Sequence, residues 1–158
     1  MQITRQTNLV LRLLMYCAAR EESVRLLDVT SFYGLSETFM QKVLQTARKN
    51  GFVETTRGRH GGIVLARAPA EITVGEVVRA VEDRFEMAEC FGETTSCPLE
   101  RTCGLNGVFH EALDAFLSAL DRHTIADITN KRGNINVLAT LDALTREPLQ
   151  KRAEKTKH

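Results

Sequence analysis

The order of short elements around two glycine-containing turns constrains the fold of this chain most. The segments "RLLDVTSFYG" and "SETFMQKVLQTARKNG" both repeat apolar residues at helical spacing, and Gly34 stands between them. Two β-prone runs, "FVETT" and "IVLA", follow and flank the glycine-rich, basic segment "RGRHGG", which predicts a hairpin. A helix, a tight turn, a second helix and then a hairpin is the order found in a winged helix-turn-helix domain.

The remaining periodic stretches predict further helices. Residues 3–20 repeat apolar side chains at helical spacing, with Thr4 and Thr7 as candidate caps. "EITVGEVVRAVED" reads as a helix capped by Thr73, and "GLNGVFHEALDAFLSALDRHTIADI" is the longest periodic stretch. Its apolar stripe is too wide for one small chain to cover, so we expect a second copy to pack there as a twofold dimer. We predict a mostly α fold with a small β-hairpin, in which a winged helix-turn-helix is joined to a long dimerisation helix.

Charge is distributed unevenly along the 158 residues. Residues 1–67 hold ten Lys and Arg against five Asp and Glu, whereas residues 68–130 hold four against twelve. The basic half suits a polyanion, and the acidic part suits a separate regulatory or dimerising role. The regions we expect are a winged helix-turn-helix DNA-binding domain (1–67), a connecting helix (68–85), a cysteine loop (86–104), a dimerisation helix region (105–143) and a disordered basic tail (144–158).

The N-terminal sequence does not resemble a signal peptide, because Arg5 and Arg12 interrupt it and no small-residue cleavage site follows. No run of about 18 apolar residues is present, so we expect no membrane span and a cytoplasmic location. Thiols stay reduced in that compartment. Clustered cysteines there point to metal or redox chemistry rather than to structural disulfides.

The second helix of the helix-turn-helix and the tip of the hairpin carry the candidate DNA-binding residues. Polar side chains at the start of that helix can donate hydrogen bonds to phosphates or to base edges in a major groove. A glycine-flanked arginine at the hairpin tip suits the negative potential of a narrow minor groove. The candidates are Ser36, Thr38, Gln41 and Lys42 on the helix, and Arg57, Arg59 and His60 at the tip. The alternative is a surface helix and hairpin with ordinary solvated charges.

Three of the four cysteines, Cys90, Cys97 and Cys103, lie in the polar segment "ECFGETTSCPLERTCGLN". Structural free cysteines usually lie in apolar runs, as Cys17 does in "LLMYCAA", so a coincidence of free thiols is disfavoured. Zinc sites usually show closely paired ligands such as C-x2-C, and that pattern is absent. Three thiolates at these wider gaps suit an iron–sulfur cluster. Zinc and a reactive-thiol switch stay open as alternatives on spacing alone.

Together these residues are similar to those of the winged-helix iron–sulfur regulators that include NsrR, IscR and RirA. The resemblance covers about residues 1–140 and rests on "YGLSETFMQKVLQTARKNGFVETTRGRHGG", "MAECF", the three cysteines and "ALDAFLSALDRHTIADI". It implies a homodimeric transcription factor, usually a repressor, with an iron–sulfur cluster on Cys90, Cys97 and Cys103. A 4Fe-4S cluster is expected, with 2Fe-2S as the alternative. The positions that match the family's DNA contacts are Thr38, Gln41, Lys42 and Arg57.

Within the family, "LMYCAA", "MAECF" and "CGLN" are most like the iron-responsive RirA type. Asn8 and Asn106 stand where some NsrR and IscR proteins have a fourth cluster ligand, and asparagine is a poor ligand for iron. The fourth site then falls to water, a small thiol, or a carboxylate such as Glu89 or Glu93. An iron with only exchangeable ligands would link cluster occupancy to iron supply, and a change in dimer geometry would pass this to DNA affinity.

Three rival functions are a nitric-oxide-sensing repressor of the same fold, a small iron–sulfur redox protein and an enzyme. The helix-turn-helix pattern and the basic half speak against the redox protein. We expect no enzyme, because the sequence holds no nucleophile or paired-carboxylate motif and its histidines are scattered. They are His60, His110, His123 and His158.

Overall fold

A computed structural model of the protein describes residues 2–20, 22–56, 61–91, 96–99 and 102–129. Within these residues the chain forms helices and one two-stranded antiparallel hairpin, which confirms the predicted fold class. The elements are α1 (Arg5–Arg20), α2 (Leu26–Tyr33), α3 (Glu37–Lys49), β1 (Val53–Thr55), β2 (Ile63–Leu65), α4 (Val74–Val81), α5 (Gly104–Asp121) and α6 (Ile125–Thr129). Single-turn 3-10 helices lie at Pro69–Glu71 and Glu89–Phe91.

Helices α2 and α3 are joined by the short turn that the sequence predicts. Gly34 adopts a left-handed conformation (φ 63°), and its N–H donates to the carbonyl of Thr30. The N–H of Leu35 donates to the same carbonyl at 3.0 Å, so the turn satisfies a carbonyl that the end of α2 leaves unpaired. Ser36 occupies the N-cap position of α3, but its side chain makes no capping hydrogen bond.

The hairpin packs against the segment that precedes α2. Val53 lies opposite Leu65 and Thr55 opposite Ile63. Ile63 also exchanges two backbone hydrogen bonds with Val24, at 3.0 and 2.8 Å. A β-carbon on Gly62 would lie 2.8 Å from the carbonyl oxygen of Val24, so this close approach of two backbones requires glycine. The hairpin thereby becomes a fixed part of the domain.

Helix α1 lies at the centre of the core and packs against α3, α4, α6 and β2. Its start is capped as predicted, because the Thr4 hydroxyl accepts a hydrogen bond from the Thr7 N–H at 3.2 Å. Residues well beyond the hairpin belong to the same apolar cluster, among them Ile72, Val77 and Ile125. The core under the helix-turn-helix is therefore completed by α4 and α6.

The longest periodic stretch is divided into two helices. Helix α5 ends at Asp121, and α6 begins with a capping box in which Thr124 Oγ1 accepts from Asp127 N–H at 3.1 Å. The Asp127 carboxylate accepts from Thr124 N–H at 2.8 Å in return. The carbonyl of His123 accepts from Val74 N–H at 2.8 Å. This pairing turns the chain so that Ile125 enters the core, fully buried.

Candidate nucleic-acid interface and cysteine segment

One face of α3 is anchored in the core and the opposite face is polar and exposed. Met40, Val43 and Ala47 are fully buried. The predicted residues Ser36, Thr38, Gln41 and Lys42 are all exposed. Gln45, which was not predicted, is exposed as well. It lies one turn beyond Gln41, so helical spacing alone would have found it. Hydroxyl, amide and ammonium donors on one exposed helix face suit base edges and phosphates.

Contacts from α1 fix the orientation of α3. The side-chain amide of Gln6 donates to Thr46 Oγ1 at 2.7 Å. The guanidinium of Arg5 lies 4.9 Å from the centre of the Phe39 ring, within the range of a cation–π contact. Together with the buried face, these contacts hold the polar face of α3 in one orientation relative to the core.

The base of the hairpin loop is closed by two hydrogen bonds. Thr56 N–H donates to the carbonyl of Gly62 at 3.0 Å, and Gly62 N–H donates to Thr56 Oγ1 at 3.2 Å. The predicted tip residues between them lie outside the described residues. They are Arg57, Arg59 and His60.

The three clustered cysteines are half-buried and none forms a disulfide. Cys90 lies in the 3-10 helix Glu89–Phe91, Cys97 precedes the turn at Pro98, and Cys103 holds the N-cap position of α5 without a side-chain capping bond. Cys17 differs from them, because it is only 5% exposed and burial raises the pKa of its thiol to about 12. The expected burial of Cys17 in the core is confirmed.

Two contacts connect the neighbours of these cysteines. The Glu89 carboxylate accepts hydrogen bonds from Ser96 N–H at 3.2 Å and from its hydroxyl at 3.0 Å. This brings the residue before Cys90 next to the residue before Cys97. The ring of Phe91 stacks on His110 of α5, with centroids 4.4 Å apart. Neither contact was apparent from the sequence, since both depend on how the segment folds back.

The thiols suit an iron–sulfur cluster by chemistry, but the described geometry does not preassemble a site. Three sulfur donors that are neither in disulfides nor buried in the core are the ligands such clusters use. Among the described residues, however, no three His, Cys, Asp or Glu side chains are grouped so that they could hold a metal ion. The Glu89 carboxylate, one candidate fourth ligand, is engaged by Ser96; Glu93 lies outside the described residues.

Helix α5 keeps much of its apolar surface uncovered. None of its 18 residues is buried, and Leu105 and Val108 are 55% and 57% exposed. Leu113 and Phe116 are only half-buried. Within the described residues, α4 is the element that packs most extensively against this helix. Exposed apolar surface along a helix typically marks an interaction site.

Comparison with known proteins decides the family. Residues 3–131 match the Rrf2 family, described as "Iron-dependent Transcriptional regulator". The chain belongs to the Rrf2 family. It is 47% identical over 145 residues to protein aau3 of Rhizobium meliloti (strain 1021), covering 90% of this chain and 94% of that protein. It is 41% identical over 141 residues to the HTH-type transcriptional regulator NsrR of Bacillus licheniformis, covering 87% and 99%.

Two solved structures share the fold. IscR of T. potens superposes with a TM-score of 0.66 at 24% identity, covering 81% of this chain and 85% of that one. The B. subtilis cysteine regulator CymR superposes with a TM-score of 0.65 at 25% identity, covering 81% and 95%. As an Rrf2 protein, the chain is a DNA-binding transcriptional regulator and not an enzyme, as predicted. No helix in the described part is long and apolar enough to span a membrane.

Proposed function

We propose that the protein is a homodimeric repressor whose operator affinity depends on an iron–sulfur cluster held by Cys90, Cys97 and Cys103. The observation that carries this proposal is the placement of three half-buried thiols, none in a disulfide, directly before α5. Soft sulfur ligands suit iron–sulfur clusters. The description of the family as iron-dependent supports iron as the metal. We take the cluster as 4Fe-4S, with 2Fe-2S as the alternative.

The chain's own residues hold the cysteine segment close to α5. The Glu89–Ser96 hydrogen bonds hold the segment's two sides together, and the Phe91–His110 stack fastens it to the helix. A bound cluster would supply a cross-link among three cysteines that the described geometry does not group into a metal site. Loss of that cross-link would release Cys103, and with it the start of α5.

We assign dimerisation to α5. Its uncovered side chains, among them Leu105, Val108, Leu113 and Phe116, form one stripe along the helix. The same helix on a second copy is a self-complementary cover, as a twofold interface requires. The dimer would present two α3 helices to one duplex. This is how helix-turn-helix dimers read paired half-sites.

DNA contacts are proposed for Ser36, Thr38, Gln41 and Lys42 in the major groove and for Arg57, Arg59 and His60 at the wing. The exposure of the α3 residues supports this assignment. The five-region division, with boundaries at residues 67, 85, 104 and 143, stays part of the proposal. We place the protein in the cytoplasm, where a DNA-binding transcriptional regulator would meet its operator.

Iron availability is the signal we propose, in line with the resemblance to the RirA type. Asn8 and Asn106 offer no strong fourth ligand, so one iron would depend on exchangeable ligands and would be lost first when iron is scarce. Nitric oxide is the alternative signal, supported by the 41% identity to a regulator named NsrR. Titration of the cluster-loaded protein with an iron chelator and with limiting nitric oxide distinguishes them by which agent first releases DNA.

Anaerobic purification tests the cluster itself. We expect a coloured protein with visible absorbance, and a native mass that corresponds to a dimer carrying iron and sulfide. The matched variants Cys97→Ser and Cys17→Ser should respectively lose and keep that absorbance. A colourless wild-type protein with stoichiometric zinc would overturn the iron–sulfur assignment.

A further inference from the structure

A bidentate ion pair holds the C-terminal end of α5 against α4 of the DNA-binding core. Both guanidinium nitrogens Nη1 and Nη2 of Arg79, on α4, donate to the two carboxylate oxygens of Asp121, each at 2.6 Å. Bidentate pairs of this kind fix orientation as well as distance. Hydrogen bonding to Arg79 lowers the pKa of Asp121, so the carboxyl is ionised at neutral pH.

Gly75 belongs to the same contact between α4 and α5, which we call the joint (Gly75, Arg79 and Asp121). Gly75 is buried on the first turn of α4, and a β-carbon there would clash with the Asp121 carboxylate. Backbone hydrogen bonds extend the joint past the end of α5. Val74 N–H donates to the carbonyl of His123, and Ile125 N–H donates to the carbonyl of Ile72, both at 2.8 Å.

A continuous series of contacts leads from this joint to the DNA-reading helix. Val77 and Val78 bury α4 in the core. At the other end of α4, the Glu82 carboxylate accepts from Thr4 N–H at 2.7 Å, directly before α1. Helix α1 in turn holds α3 through the Gln6–Thr46 hydrogen bond. The opposite end of α5, about 27 Å away for 18 residues, begins at Cys103.

We infer that the Asp121–Arg79–Gly75 joint is the pivot through which α5 transmits the state of the cysteine segment to the DNA-binding core. Helix α5 is then held against α4 at Asp121, whereas its N-terminal end at Cys103 moves with the cysteine segment. Asp121 and Arg79 are positioning residues, since neither belongs to the DNA face nor to the cysteine segment. The inference rests on the proposed cluster-dependent DNA binding.

The test is the substitution Asp121→Asn, with Glu76→Gln as the matched control. Glu76 lies on α4, as Arg79 does, and pairs with Arg67 at 2.6 Å. The side chains of the two ion pairs are almost equally exposed: 39% and 42% for Arg67 and Glu76, and 43% and 41% for Arg79 and Asp121. The control therefore removes a comparable ion pair that does not involve α5. For wild type and both variants, operator affinity is measured with and without the cluster at one salt concentration.

The readout is the ratio of the two affinities, because a merely structural role would weaken both states equally. Allosteric ratios are typically about 5- to 150-fold. We expect Asp121→Asn to reduce the wild-type ratio at least about fivefold or abolish it, while visible absorbance and iron content stay unchanged and Glu76→Gln keeps the ratio. An unchanged ratio in Asp121→Asn overturns the pivot and leaves the proposed function intact. A wild-type ratio of 1 overturns both.

Hydrogen exchange of the cluster-free protein gives an independent readout. The amides of Val74 and Ile125 report on the joint, since both bond across it. We expect Asp121→Asn to speed their exchange at least about threefold relative to Glu76→Gln. Equal exchange in the two variants would contradict a joint that depends on this ion pair. If Asp121→Asn does not fold, Arg79→Lys is measured in the same two experiments, since it keeps the charge and loses the two-pronged geometry.

Discussion

At the scale of single residues, cysteine has two roles in this chain. Cys17 lies among the buried residues of α1, and desolvation raises the pKa of its thiol to about 12. Cys90, Cys97 and Cys103 are half-buried in a polar segment outside the core. Thiol reactivity requires the thiolate, so environment alone separates a packing residue from three candidate ligands.

Alkylation of the cluster-free native protein checks this separation. We expect three thiols to react quickly at about pH 8 and the fourth, Cys17, only after unfolding, because its thiolate is scarce and its sulfur is buried. The Cys17→Ala variant should show the same three fast thiols and no slow one. Four thiols reacting at similar rates in the native state would contradict the assignment.

The exposed face of α3 makes a second prediction about single residues. Lys42→Ala should weaken binding to specific and unrelated duplexes alike and reduce the salt slope of log K by about 1, as expected for a phosphate contact. Gln41→Ala should cost about 1–3 kcal/mol on the operator only, as expected for a base contact.

Lys49→Ala is the matched control, since Lys49 is exposed at the opposite end of the same helix. Its effect should be clearly smaller than that of Lys42→Ala, because recognition helices contact base edges with their N-terminal residues. A larger loss with Lys49→Ala would mean that the other end of α3 meets DNA. Binding is measured by fluorescence anisotropy over a series of salt concentrations.

At the scale of elements, α5 is the one whose apolar surface the rest of the described chain does not cover. It has no buried residue, whereas α1 and α3 each bury a full face. Val108 is the most convenient probe, being 57% exposed and remote from the Arg79–Asp121 joint in sequence.

Val108→Glu should convert the dimer to a monomer and lower operator affinity at least about tenfold, because it places a charge in an apolar interface. Sedimentation velocity measures the first effect and anisotropy the second. Glu111→Gln, at an exposed polar position on the same helix, should leave the dimer intact. A dimer that persists in Val108→Glu would show that α5 is not the interface.

The elements also show where sequence patterns suffice. The ends of α2 and α3 and the cap of α4 were predictable, because Gly34, Gly51 and Thr73 act within a few residues of chain. The end of α5 at Asp121 was missed, although "TIAD" carries a capping-box signal, because apolar spacing continues through the break. What fixes the break is the pairing of His123 and Ile125 with Val74 and Ile72, and this depends on tertiary structure.

At the scale of the whole molecule, the helix-turn-helix and the cysteine segment are parts of one packed structure. The core under α1 includes Ile125 from beyond α5, so the Asp121 end of that helix is fixed to the core under the helix-turn-helix. Residue types and spacing favour an iron–sulfur cluster at the cysteine segment, and this stays a prediction. The distances among its sulfurs could not be predicted from the sequence, because they depend on how the segment folds against α5.

The most direct measurement compares operator affinity of the cluster-loaded and cluster-free protein at one salt concentration, with Cys97→Ser as a permanently cluster-free reference. We predict that the loaded dimer binds at least about fivefold more tightly, within the range of known allosteric couplings. Cys97→Ser should match the cluster-free wild type. Equal affinities for the loaded and cluster-free wild-type protein would contradict the account.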